Sequence, residues 1–234
     1  MTGGQRRAPW ARAAATGAVA LLTGLAGCGM FATGQPAEPS SAADDGPPVV
    51  VHDRANDSDF AGLEVAPPLP LPRARLTSDD GSRFALPADL DRPVTVFFFG
   101  YTNCPDVCTL VMSDLTLAVA RLPERLRDQV RVVFVTSDPA RDDPATLRRY
   151  LGRFDPDFTG LTGELDIIVD LAGAMGIAIE KGPKLPSGGY EVGHGAQLIG
   201  YVGDDGVLVW SQGVSVDDLT DDLARLATDA APAG

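Results

Sequence analysis

Phe97-Phe98-Phe99-Gly100-Tyr101-Thr102-Asn103-Cys104-Pro105-Asp106-Val107-Cys108 runs from an apolar strand through a polar turn to two cysteines spaced i, i+4. If the chain after Asp106 is helical, that spacing puts both sulfurs on one face, with Cβ atoms roughly 5–6 Å apart. Two thiolates on one ion, each at about 2.3 Å, close such a gap. An unstrained disulfide wants its Cβ atoms about 3.5–4.5 Å apart and fits a regular i, i+4 pair less well. The spacing leans toward a metal clip and leaves a strained, reducible disulfide open.

Outward from this stretch, the pattern alternates strands and helices. Val94 to Phe99 is a continuous apolar run, read as a strand buried on both faces. Thr109 to Leu122 reads as a helix that turns Leu110, Leu117, Val111 and Leu115 inward. Upstream, Arg73–Thr77 and Arg83–Leu86 flank an Asp79-Asp80-Gly81 turn, an N-terminal β-hairpin. Downstream come a strand over Val130–Thr136, a helix from Pro144 to Phe154 with proline at its first position, and a helix from Leu165 to Met175 capped by Thr162. A short strand over Ile177–Glu180 follows, then a hairpin of Gln197–Val202 with Val207–Ser211. Ser215 and Asp218 cap a last helix reaching Ala227. The expected fold class is α/β: a mixed sheet flanked by helices. A cysteine motif at a strand-to-helix turn, with a late hairpin and final helix, resembles the thioredoxin fold. Thioredoxins carry a proline just before the late hairpin; here Gly193-His194-Gly195 occupies that approach.

The chain begins as an export signal. Arg6, Arg7 and Arg12 precede an apolar stretch, Ala13 to Leu25, too short for a comfortable membrane span. It ends in Leu25-Ala26-Gly27-Cys28, which resembles the lipobox of bacterial lipoproteins, where the cysteine becomes the lipidated N-terminus. The domain reading is residues 1–27 signal peptide, 28–60 lipid anchor and Pro/Ala/Ser-rich linker, 61–228 one thioredoxin-like domain, 229–234 tail. Such a protein is exported and anchored by lipid to the outer face of the bacterial cytoplasmic membrane. Loss of the signal's three arginines and no acids takes the net charge from −13 to −16. That charge repels nucleic acid and anionic headgroups, so membrane attachment rests on the lipid.

With Cys28 in the anchor, Cys104 and Cys108 are left as a pair, in a compartment where disulfides persist. They are a staple, a redox couple or a metal site. The staple is weakest, because so small a loop removes little unfolded-state entropy. In the expected fold the strand before the cysteine turn neighbours the hairpin strand after His194, which brings a third donor. Two soft thiolates and an imidazole suit copper or zinc. Structural zinc wants four protein ligands and no further cysteine or well-placed histidine exists, so copper is the better fit. A helix N-terminus near the sulfurs favours thiolate. Asp106 can cap that helix, and Gly193 and Gly195 leave the His194 segment room to approach. Other donors read more plainly: His52 as a solvated linker residue, Met112 as core one turn past Cys108, Asp138 as either steering the site or capping a turn.

The cysteine motif, together with Ser137-Asp138-Pro139-Ala140-Arg141-Asp142 and with Tyr190 and His194, resembles the Sco/SenC family over about residues 61–227. The resemblance implies a copper-handling, thioredoxin-like protein with metal held by Cys104, Cys108 and His194: copper(I), with copper(II) as a second state. It implies service to the dinuclear copper site of cytochrome c oxidase, as a metallochaperone. Expected partners are the copper-site subunit and another copper chaperone or a thiol reductant. Many members have Asp where this chain has Gly193. The alternative is a thiol–disulfide oxidoreductase, with Cys104 and Cys108 as the redox pair reducing the recipient's cysteines. A peroxidase reading would need Thr102 or Thr109 as a hydroxyl beside one thiolate.

Overall fold

In the computed structural model the residues described are 50–51, 58–105, 107–184 and 190–230, with side chains for all except 50–51 and 180–194. They fall in one compact unit, Gly46–Gly234. The expected signal segment, Cys28, His52 and Asp106 lie outside the described residues.

The sheet is built outward from its central strand. The strands in chain order are β1 Val50–Val51, β2 Leu63–Pro70, β3 Ala74–Ser78, β4 Arg83–Leu86, β5 Val94–Gly100, β6 Val130–Thr136, β7 Thr159–Thr162, β8 Ile179–Lys184, β9 Tyr190–His194, β10 Leu198–Val202 and β11 Asp205–Trp210. The helices are α1 Val107–Arg121, α2 Glu124–Arg127, α3 Pro144–Leu151, α4 Leu165–Ala174 and α5 Val216–Asp229. β5, β6 and β7 run parallel, while β10 joins β5, and β3 joins β7, antiparallel. The full order is β1-β2-β11-β10-β5-β6-β7-β3-β4, with β8 and β9 as a separate pair.

Every residue of β5 is buried, and its side chains alternate between two cores. Val94, Val96 and Phe98 face α1, α3 and α5, where they meet Leu115, Leu147, Leu223 and Trp210. Phe97 and Phe99 face α4, Leu76, Leu161 and Tyr201. This double burial is what the unbroken apolar run encodes. A mixed sheet flanked by helices is thus the observed architecture. Among the described residues no helix is long and apolar enough to cross a membrane.

Several local readings are corrected. α1 buries Cys108, Val111, Met112, Leu115, Ala118 and Val119, while Leu110 and Leu117 are about half exposed. Apolar residues occur on both sides of this helix, so periodicity alone could not fix its buried face. Thr162 ends β7 instead of capping α4, whose N-cap is Glu164 without a side-chain bond. The segment expected as linker carries β1, which pairs with Val65 and Ala66. β2, with Pro67 and Pro68 inside it, was not expected, and neither were β7 and β9. The remaining caps follow the expected chemistry. Asp143 accepts the Thr146 N–H ahead of Pro144, and Ser215 accepts the Asp218 N–H. The β10–β11 turn uses Gly203 at φ 56°, a left-handed conformation open to glycine.

The domain's N-terminal edge is latched by one buried acid. Asp222 of α5 accepts the Ala61 N–H (3.0 Å), the Gly62 N–H (2.7 Å) and the Trp210 indole N–H (2.7 Å). Asp222→Ala removes all three at once and leaves the indole N–H unpaired in the core. We expect a loss of about 3 kcal/mol in urea unfolding, followed by the fluorescence of Trp210. A loss below about 0.5 kcal/mol would contradict the latch.

Candidate metal and redox site

The site forms where β5 ends. Gly100 is the last residue of the strand, and the position takes glycine because a Cβ there would stand 2.9 Å from the Phe134 ring. The chain then turns, the Cys104 N–H donating to the Tyr101 carbonyl at 3.2 Å. Cys104 precedes α1 and Cys108 is its second residue, so the two are not successive turns of one helix as the spacing suggested. Both are thiols with no disulfide between them. The Cys108 N–H, one of the helix's open N-terminal donors, points at Cys104 Sγ with a separation of 3.3 Å. Cys104 is half-buried and Cys108 fully buried.

The turn is braced from the adjoining strand. Asp142, fully buried, accepts the Thr102 N–H (2.9 Å) and hydroxyl (2.6 Å) and the Thr136 hydroxyl (2.7 Å). Ser137 donates both its N–H (2.6 Å) and its hydroxyl (3.1 Å) to the Gly100 carbonyl. Asp138, buried, pairs with the Arg141 guanidinium, which lies 5.7 Å from the centre of the Tyr101 ring. The second sequence motif is therefore the clamp on the first. Within that turn the Asp138 carbonyl accepts the Arg141 and Asp142 N–H groups. Asp142 entered the sequence reading only as the last residue of the second motif, with no role attached; its signal was a polar run directly after a fully apolar strand. Thr102 commits its hydroxyl to Asp142, which removes it as a hydroxyl partner for a peroxidatic thiolate. Met112 is core, with no exposed surface.

His194 ends β9, with Ile179 opposite it on β8, and is not a loop residue. Its side chain lies outside the described residues. Its backbone is constrained by topology. β10 sets Leu198 opposite Phe98, so the chain entering β10 and the chain leaving β5 share one sheet edge. Leu198 is four positions after His194, a reach of at most about 14 Å. Among the described side chains no three of His, Cys, Asp or Glu gather into a metal-holding group, and that of His194 is not among them.

Two sulfurs at one helix start, one reachable and one buried, can hold a soft metal ion or exchange electrons as a dithiol. The clamp sets where the first sulfur sits. Asp142→Ala strips three hydrogen bonds from a buried acceptor and leaves two threonine hydroxyls unsatisfied. We expect about 3 kcal/mol of destabilisation in urea and faster reaction of Cys104 with an aromatic disulfide. Unchanged stability and thiol reactivity would show that the clamp holds nothing.

Comparison with known proteins identifies the family and the fold. The SCO1/SenC profile matches residues 74–228. Protein SCO1, mitochondrial, of Saccharomyces cerevisiae is 32% identical over 128 residues, covering 54% of this chain and 43% of that protein. The solution structure of apo Sco1 from Thermus thermophilus superposes with a TM-score of 0.65 at 31% identity, covering 73% of this chain and 99% of that one. Bradyrhizobium japonicum ScoI with copper bound gives a TM-score of 0.58 at 28% identity, covering 66% and 98%. The chain spans about half the length of the curated relatives it matches. With a thioredoxin-like sheet and a profile match over residues 74–228, the chain belongs to the SCO1/SenC family.

Proposed function

We propose that this protein is a copper chaperone, with copper as cargo held by Cys104, Cys108 and His194. The observation that carries the reading is the arrangement of Cys104 and Cys108 at the start of α1. Their donor chemistry suits copper(I), which accepts two thiolates and an imidazole without a fourth protein ligand. Membership of a family in which a related protein holds copper supports the choice of metal. Ligand exchange with the recipient starts at Cys104, because Cys108 has no exposed surface. A recipient thiolate displaces Cys104 first, and Cys108 and His194 release afterwards. The recipient we assign is the dinuclear copper site of cytochrome c oxidase. Lipidation at Cys28 would hold the domain on the outer membrane face, where the linker raises its effective concentration near such a target.

The half-buried thiol beside a fully buried one also supports a second reading, reduction of the recipient's disulfide. Cys104 thiolate attacks one sulfur of that disulfide and expels the other as thiolate. Cys108 thiolate then attacks Cys104 in the mixed disulfide and releases the second recipient thiolate. Two electrons leave the pair, which ends as the Cys104–Cys108 disulfide, and the recipient ends as a dithiol.

An anaerobic copper(I) competition titration of the reduced protein separates the two. The chaperone reading expects one tightly held copper per chain. His194→Ala should weaken it by on the order of a hundredfold, the upper end of what losing even an outer-shell partner costs. Weak binding in the parent protein, with rapid reduction of a disulfide peptide, would transfer the function to redox chemistry. For the anchor, Cys28→Ser should move the protein from the detergent phase to the aqueous phase on cloud-point partition. Retention in the detergent phase would refute lipid attachment at Cys28.

A further inference from the structure

The outer face of α1 carries a stripe that neither the core nor the sulfurs use. Leu110, Asp114 and Leu117 recur at i, i+4 and i+7, which sets them one above another on the side of the helix away from Cys108. Leu110 is 53% and Leu117 50% exposed, more than any other large apolar side chain among the described residues. Asp114 between them is half-buried and has no hydrogen-bond or ion-pair partner among the described residues. Arg121, the cation of this helix, is taken by Asp217 of α5. The positions around the stripe are uncharged: Thr109, Ser113, Thr116 and Ala120. The outer face of α5, by contrast, carries Asp217, Asp218, Asp221, Arg225 and Asp229. Exposed leucines in a charge-poor setting, on a chain of net charge −13, have the composition of an interface core and not of a solvated helix face.

The stripe borders the cysteine edge of the sheet. Asp114 lines a cleft between α1 and the β11–α5 turn, together with Val111, Ala196, Leu198 and Val214. Among the described residues it is the one charged group on the cleft's walls. Ala196 is two positions after His194, and Leu198 lies opposite Phe98, so the cleft adjoins the edge where β5 delivers the cysteine turn. An ordinary interface covers about 800 Å² on each partner, a disc reaching roughly 16 Å from its centre. Along the helix axis Leu110 and Asp114 lie about 3 and 9 Å beyond Cys108, and Leu117 about 14 Å. A protein centred on Cys104 therefore covers the first two and meets Leu117 at its rim.

We infer that the Leu110–Asp114–Leu117 stripe and its cleft are the docking surface for the protein that exchanges copper or electrons with Cys104, and that this partner presents a lysine or arginine ringed by apolar side chains. Asp114 supplies the charge that complements the cation, and the leucines pack against the cation's stem and its neighbours. The acyl region of a bilayer does not fit, since it offers Asp114 no cation. The inference rests on the proposed function in one respect: a partner must approach Cys104, which both readings of the site require.

The probe is the soluble copper-site domain of cytochrome c oxidase, the recipient assigned above. Its affinity for the reduced full chain in detergent solution is measured by calorimetric titration, for the parent, for Asp114→Lys and for the double variant Leu110→Ser, Leu117→Ser. These side chains are outside the core, so the thermal midpoint and the copper(I) affinity should stay at the parent's values. We expect each variant to bind the domain about tenfold more weakly, and Asp114→Lys to lose the parent's salt dependence. Equal affinity in all three proteins, or no association of the parent, overturns the docking surface. Self-association of the parent that the leucine variant abolishes, with the domain bound as before, also overturns it and makes the stripe a contact between copies. A parent that holds copper poorly yet binds the domain through the stripe keeps the surface and removes the chaperone reading. Tight copper binding with docking unaltered in both variants does the reverse.

Discussion

The site depends on a single buried carboxylate. Asp142 takes three hydrogen bonds, two from Thr102 on the cysteine turn and one from Thr136 at the end of the neighbouring strand. A charge with no exposed surface is tolerable only because its oxygens are occupied by well-placed donors. The same donors tie the turn to β6, which is itself pinned by parallel pairing to β5 over seven residues. The position of Cys104 is therefore inherited from the most deeply buried part of the sheet. A soft-metal site needs that: two sulfurs held in place, on a turn that is still reachable from outside.

Reach and burial divide the work of the two thiols. Cys104 sits outside the helix, half-buried, facing the donor N–H of Cys108. Cys108 is inside it and sealed by the core that α1 shares with α3 and α5. In the proposed copper transfer this would make Cys104 the first ligand exchanged, with Cys108 releasing later. In disulfide reduction it makes Cys104 the attacking thiol and Cys108 the resolving one. One geometry serves both chemistries, which is why the fold by itself does not choose between them.

Much of this was legible in the sequence because the informative segments are extreme. β5 and β6 are unbroken apolar runs, and their limits follow from composition almost to the residue. The proline-led start of α3 and the Ser215 cap of α5 obey local rules that tertiary contacts do not override. The hidden parts are those where long-range pairing decides. β2 contains prolines that argue against a strand, yet pairing with β11 holds it extended. β7 is four residues long and is a strand only because β6 and β3 flank it. On α1 Val111 and Leu115 face inward as read, but Leu110 and Leu117 do not: the buried face belongs to Cys108, Val111, Met112, Leu115, Ala118 and Val119, which recur at i, i+3, i+4 and i+7 spacing. At the site, the cysteines were evident from type and spacing. Asp142 stood in the second motif with no role attached, because it acts through Thr102, 40 residues away in sequence.

The central claim is that two thiolates and one imidazole of this chain hold copper. X-ray absorption at the copper edge of the reduced, copper(I)-loaded protein reads that coordination shell directly. The account predicts two sulfur scatterers and one nitrogen, with the nitrogen lost in His194→Ala and both sulfurs retained. A shell of sulfur alone in the parent protein, or one unchanged by the substitution, would contradict it.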